Sequence, residues 1–198
     1  MKKLLTTFML AFICAVTFAQ NAEFKKAVAK YKTATTVTAT ATRTVHKAAV
    51  SKDKVTTGNL YVKGKGSKVL IANGKDALLM NGTAFTMKKG ALKAKTDCQK
   101  DAQYKTFHDV LESIFNGGAT DFGKHNDVKT TKNGTNIVLT ITPTATKKKQ
   151  MFSSFVVTID SKMQELRSIR MLQKGGSYTE YTFSNYKIGA PVNDSMFK

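Results

Sequence analysis

The 198-residue chain has no tryptophan, two prolines, two cysteines and three histidines, and its thirteen acidic residues face thirty-two basic ones. Each shortage excludes something. Cys14 lies in an N-terminal apolar stretch that reads as a leader, so Cys98 is left alone and no internal disulfide can staple the fold. His46, His108 and His125 are far apart in sequence, without the spacing of a zinc motif, and His108 and Glu112 share at most one helical turn. With so few carboxylates, and without a nucleophile elbow or a phosphate loop, acid–base and nucleophilic catalysis lack their usual parts. Cys98 sits among Lys93, Lys95 and Lys100 with no base to activate it. The expectation is a binding protein and not an enzyme, with no cofactor and no metal.

Long apolar runs are missing too. Lys2 and Lys3 precede a largely apolar stretch from Leu4 to Val16, and Thr17-Phe18-Ala19 ends in a small residue. This pattern describes an export signal over residues 1–19, cleaved after Ala19. Lipidation at Cys14 is disfavoured because Ile13, just before it, is not small. The remaining residues, 20–198, are enough for one domain with an ordinary core. No later segment reaches the ~18 apolar residues of a membrane span.

The formal charge of +19 becomes +17 without Lys2 and Lys3. Nucleic acid is not the expected partner. Lysines are scattered, the only arginines are Arg43, Arg167 and Arg170, and stacking platforms are not evident. Two readings of the charge remain: solubility, or attraction to anionic lipid headgroups or an acidic docking partner.

What the chain has in quantity is short strands broken by turns. Gly58–Lys63, Lys68–Ala72, Asp76–Met80 and Thr83–Met87 follow one another, with Asn73-Gly74 and Asn81-Gly82 between the later ones. Asn-Gly supplies the positive φ angles of tight hairpins, so an antiparallel meander is expected. A β-branched run over 33–50 suits a long strand or two, and its weak apolar content suggests an edge or rim. Residues 88–100 read as a polar loop. Beyond Asn133-Gly134 come strands over 137–141, 151–159, 165–172 and 178–186, with Lys147-Lys148-Lys149 between two of them.

Two segments change period. Phe24, Val28 and Tyr31 share one face of a short helix over 22–31. Phe107, Val110, Leu111, Ile114 and Phe115 form the stripe of a second helix, stopped by Asn116-Gly117-Gly118. In the strands, alternation puts Leu60 with Val62, Val69 with Ile71, Phe85 with Met87, Phe155 with Val157, and Tyr181 with Phe183. Met80 and Leu139 complete the candidate apolar face. About ten strands with one dry face and two modest helices give a mainly β (α+β) fold. Either the sheet closes on itself or an apolar concavity stays partly open, and these twenty residues are the candidates for its lipid-binding face. Met80, Met87 and Met171 would adapt to ligands of variable pose.

Gly58-Asn59-Leu60-Tyr61-Val62-Lys63, Ile71-Ala72-Asn73-Gly74-Lys75 and Asn136–Pro143 resemble, in order, segments of the LolA-type periplasmic lipoprotein carriers. Phe155–Asp160, Tyr178–Tyr186 and the closing Asn193-Asp194-Ser195-Met196-Phe197 extend the resemblance over nearly the whole exported chain. The resemblance implies an incomplete β-barrel with a helical lid, in a Gram-negative periplasm. It implies a monomeric carrier of lipoprotein acyl chains, served by an inner-membrane donor complex and an outer-membrane acceptor through transient membrane contact. One departure stands out. Where the family commonly has arginine then proline after the first Val-Lys, with a tryptophan nearby, this chain has Gly64 and Lys65, so its lid must close by other contacts. The alternative is a secreted lipid-binding or envelope-sensing protein on the same fold, with no transport role.

Overall fold

A computed structural model describes residues 22–144 and 152–198. The leader at 1–19 and the lysines at 147–149 lie outside the described residues. Eleven antiparallel strands form one sheet: β1 Thr36–His46, β2 Lys54–Lys63, β3 Lys68–Asn73, β4 Asp76–Asn81, β5 Ala84–Lys89, β6 Leu92–Asp97, β7 Asn126–Asn133, β8 Asn136–Pro143, β9 Phe152–Asp160, β10 Glu165–Gln173 and β11 Tyr178–Ile188. Their order is β6-β5-β4-β3-β2-β1-β11-β10-β9-β8-β7. The ends, β6 and β7, do not pair, so the barrel is half open as expected. A twisted sheet this wide must curl, and the concave side collects the apolar faces.

Two expectations need correction, and one strand was not anticipated. The segment over 88–100 is no loop: Leu92–Asp97 pairs with β5 as strand β6. Its exposed lysines, Lys93 and Lys95, protect an open sheet edge from pairing with other chains, which is why it looked too polar for a strand. Strand β7 was unforeseen for the same reason; it is the other edge, and Lys129 and Lys132 lie on it. The run over 33–50 is also no rim. β1 is the central strand, paired with β2 and β11. Its inward residues Val37, Ala39 and Ala41 are buried but small, so low apolar content reflected residue size and not exposure.

Two helices stand against the concave face. Residues 22–27 form α1, and a 3₁₀ turn at Ala29–Tyr31 carries the chain on. Helix α2, Ala102–Phe115, connects β6 to β7 and so carries the chain from one edge of the open sheet to the other. Its end is closed by the Gly118 amide, which donates to the Ser113 carbonyl at 2.7 Å.

Tyr31 ties these parts together. Its ring meets Phe115 of α2 edge-on at 5.1 Å, and its hydroxyl accepts the Leu166 amide of β10 at 3.3 Å. Tyr186 donates to the Leu166 carbonyl at 2.6 Å. Burial pushes the Tyr31 hydroxyl well above its ordinary pKa, so it stays protonated. A Tyr31→Phe variant strands the buried Leu166 amide and should lose about 1–2 kcal/mol in urea unfolding. Unchanged stability would mean that the amide finds water instead.

Candidate lipid-binding face

Helix α2 does more than lie over an opening. Its stripe residues Phe107, Val110, Leu111, Ile114 and Phe115 are buried against the concave sheet, and no residue from 104 to 115 is exposed. The opposite side is held by polar contacts. Lys105 and His108 both bond Asp109, Thr106 donates to Asn126 Oδ1 at 2.7 Å, and Ser113 donates to the Thr120 carbonyl at 2.6 Å. Burial alone would raise the Asp109 carboxyl, but His108 and Lys105 hold it below the ordinary carboxylate value.

The β2–β3 turn seats the far end of the helix. A Cβ on Gly66, at φ +89°, would lie 3.0 Å from Glu112 Cα and 3.2 Å from Phe115 Cβ. The backbone at Gly66 thus packs directly against the C-terminal end of α2, next to Gly64 and Lys65.

Nineteen of the twenty candidate residues are buried in one continuous core, and Met87 packs against it half-buried. They do not all line open space. A cavity of about 330 Å³ lies beyond the N-terminal end of α2, and Ile71, Phe85, Met87, Phe107 and Tyr181 reach it from the candidate set. A second hollow of about 580 Å³, under residues 118–124, takes in Phe24 and Leu139. Val28, Tyr31, Leu60, Val62, Val69, Met80, Val110, Leu111, Ile114, Phe115, Phe155, Val157 and Phe183 line neither space and fill the interior between helices and sheet.

Sequence reasoning missed Leu78, Tyr104 and Phe152 in the first cavity, and the polar side chains at its rim. Leu78 shares the inward register of Met80 and was open to the same argument. Phe152 was not. Ser154 opposes Leu172 but Phe152 opposes Gln173, so β9 carries an extra residue, Ser153, which reverses the alternation.

The rim is polar and ordered. Arg43 reaches Asp76 at 2.6 Å, and Asp76 also accepts the Gly90 amide at 3.0 Å. Burial opposes ionisation of Asp76, but these partners hold its carboxyl below the usual range. Tyr178 is sandwiched between the His46 ring, 4.7 Å away and nearly parallel, and the Arg170 guanidinium at 4.6 Å. His46 in turn meets Asp53 at 2.8 Å.

Two features bear on catalysis and metals. The Cys98 thiol is buried, and burial with the nearby Asp97 and Asp109 charges raises its pKa, the reverse of what a nucleophile needs. His108, Asp109 and Glu112 bring potential ligand atoms within 4.8 Å of one another. Lys105 already occupies Asp109 and Thr120 donates to Glu112, so a cation there would have to displace both.

A family model described as "Outer membrane lipoprotein carrier protein LolA" matches residues 32–198. The chain belongs to that family. Solved structures resemble it distantly. An outer membrane lipoprotein-sorting protein domain from Vibrio parahaemolyticus is 12% identical, over 86% of this chain and 92% of that one, with a TM-score of 0.46. A LolA superfamily protein from Nitrosomonas europaea is 9% identical over 89% and 96%, with a TM-score of 0.45. The lipoprotein LppX of Mycobacterium tuberculosis is 17% identical over 88% and 97%, with a TM-score of 0.42. Among curated proteins none matches the chain in sequence.

Proposed function

We propose that residues 20–198 form a single-domain periplasmic carrier, exported by the leader at 1–19. It takes acyl chains of lipoproteins into the concave face and carries them from the inner to the outer membrane. Membership of the LolA family supports this reading. The observation that carries it is a nearly continuous apolar face filled by a helix of the same chain, with an apolar-floored cavity at the helix's end. The carrier works as a monomer, receives cargo from a membrane donor complex, and gives it up to an outer-membrane acceptor during brief membrane contact.

Magnitudes favour a helix that exchanges with cargo. A typical lipoprotein acyl chain has about sixteen carbons, and laid along the concave face it competes with α2 for the same apolar surface. Burying such a chain is worth on the order of 12 kcal/mol at ~0.8 kcal/mol per methylene. The five stripe residues of α2 bury side chains worth roughly 1.5–3 kcal/mol each, about 8–15 kcal/mol together as an upper estimate. The two are comparable, so swapping helix for acyl chain is nearly balanced. Near balance suits a carrier that must load and still release.

The test uses the purified exported protein. A hydrophobic fluorescent probe should bind at micromolar concentration and be displaced by a triacylated peptide but not by the same peptide without its chains. No probe binding would end the lipid reading. Depleting the protein from its cells should leave outer-membrane lipoproteins at the inner membrane. Probe displacement with unchanged sorting would instead favour a lipid-binding or envelope-sensing role without transport.

A further inference from the structure

Three strands change character at the same rim. The inward register of β1 runs Val37, Ala39, Ala41 and then Arg43 and Val45, and Lys47 follows just past the strand's end. That of β5 runs Phe85, Met87, Lys89, and that of β4 runs from Met80 and Leu78 to Asp76. Inside a barrel these positions normally stay apolar, because alternation sends charges to the outer face. Here the same face that is hydrocarbon at depth becomes charged where the cavity opens.

Among the described residues lining this cavity, Arg43, Lys47, Lys88 and Lys89 face a single carboxylate, Asp76. Asp76 is already engaged by Arg43 and the Gly90 amide, and Arg43 Nε is buried without a hydrogen-bond partner. Three positive charges are left uncompensated. Lys47 and Lys89 are exposed at the rim, as is Lys88 on the alternate register of β5, so their long side chains can turn toward a ligand without prior desolvation. The floor beneath is formed by Ile71, Leu78, Phe85, Phe107, Phe152 and Met171.

We infer that this cavity binds an anionic single-chain amphiphile, with a carboxylate or phosphate head among Arg43, Lys47, Lys88 and Lys89 and an alkyl tail on the apolar floor. The inference rests on the acyl-carrier reading and adds to it a second ligand class, held in this cavity with α2 in place. An ester- or amide-linked chain is neutral and gains nothing from a cationic rim, and displacing water from those cations opposes its entry. A negative head turns that cost into attraction. A cavity of about 330 Å³, present with α2 in place, is of a size that suits one medium chain.

The experiment compares one twelve-carbon tail under four heads, by probe displacement from the purified exported protein at low salt. Dodecanoate and dodecyl phosphate should bind about tenfold more tightly than dodecyl maltoside, with dodecyltrimethylammonium weakest. The advantage should shrink toward 0.5 M salt, as screening of exposed charges requires. Lys88→Gln together with Lys89→Gln should reduce the dodecanoate-to-maltoside ratio below about threefold. A preference for the carboxylate or the phosphate would identify the natural head. Equal binding of all four heads, or an unchanged ratio in the double variant, overturns the inference and leaves the apolar carrier reading standing. Failure of every tail to bind overturns that reading as well. Competition by millimolar inorganic phosphate alone would reveal a free-anion site and also overturn the inference.

Discussion

Gly58→Ala, a change of one methyl group in the middle of β2, is expected to destabilise the protein by at least ~3 kcal/mol or to prevent folding. The added Cβ would lie 1.8 Å from the Ala72 carbonyl oxygen and 2.8 Å from both Ala72 C and Asn73 Cα. Every one of those atoms is backbone, in a strand paired on both sides by β2 and β4. No rotamer change can relieve the clash. The glycine has a purpose visible in the hydrogen bonds. Pairing of β2 with β3 ends at Asn59 opposite Ala72, and the next residue, Asn73, folds across Gly58. Its buried side-chain amide then donates to the carbonyl of Ala41 at 2.8 Å and to that of Thr56 at 3.3 Å. Ala41 stands directly opposite Gly58 in the β1–β2 ladder, so one asparagine fastens the meander to the central strand. Asn73→Ala should cost less, about 1–3 kcal/mol, because it loses those bonds without forcing strands apart. Urea unfolding of both variants checks the order. Near-normal stability of Gly58→Ala would mean that the β3–β4 turn can slide.

This glycine also illustrates which features were legible in the sequence. Gly58-Asn59 looks like the start of a strand, yet β2 begins at Lys54 and Gly58 lies inside it. Hairpins could be read directly at Asn-Gly, but only the glycines, Gly74 and Gly82, adopt the positive φ expected of both residues, while Asn73 and Asn81 end their strands. So could period-2 alternation wherever the ladder is regular, as in β8, where Ile137, Leu139 and Ile141 are buried in turn. Non-local effects were hidden. The bulge at Ser153 reversed the facing of Phe152, and another near Arg167 put Leu166 and Ile169 on the same inner side. Edge strands rich in lysine resembled loops because their protection from aggregation uses loop-like residues. The cationic rim escaped notice because an inward-facing arginine or lysine is recognisable only when its strand's end, and what stands opposite, are known.

Ile114→Asp discriminates between a helix that is permanent core and one that gives way to cargo. Ile114 is fully buried, and a carboxylate at such a site costs several kcal/mol unless it escapes to water. If α2 is a fixed part of the interior, the penalty falls on the whole fold, and the variant unfolds cooperatively with loss of its β-sheet circular dichroism. If α2 is displaceable, the penalty cannot exceed the free energy of swinging the helix out. The expected result is the second. The sheet signal stays, the hydrophobic probe binds about tenfold more tightly than to the parent protein, and the protein becomes prone to self-association through its uncovered concave face. The local contacts point the same way. The sheet is one hydrogen-bonded unit from β6 to β7. The helix is held to it by side chains, by the close seat at Gly66 and by a few polar bonds to residues 120–126, with no backbone ladder. Gly66→Val offers an independent route to the same state, since its Cβ would push directly on Glu112 Cα and Phe115 Cβ without placing any charge in the interior. Raised probe binding in both variants, with the sheet intact, would mark α2 as the element that cargo displaces. Global unfolding in both would make it ordinary core, and a lipoprotein's chains would then have to bind without displacing α2.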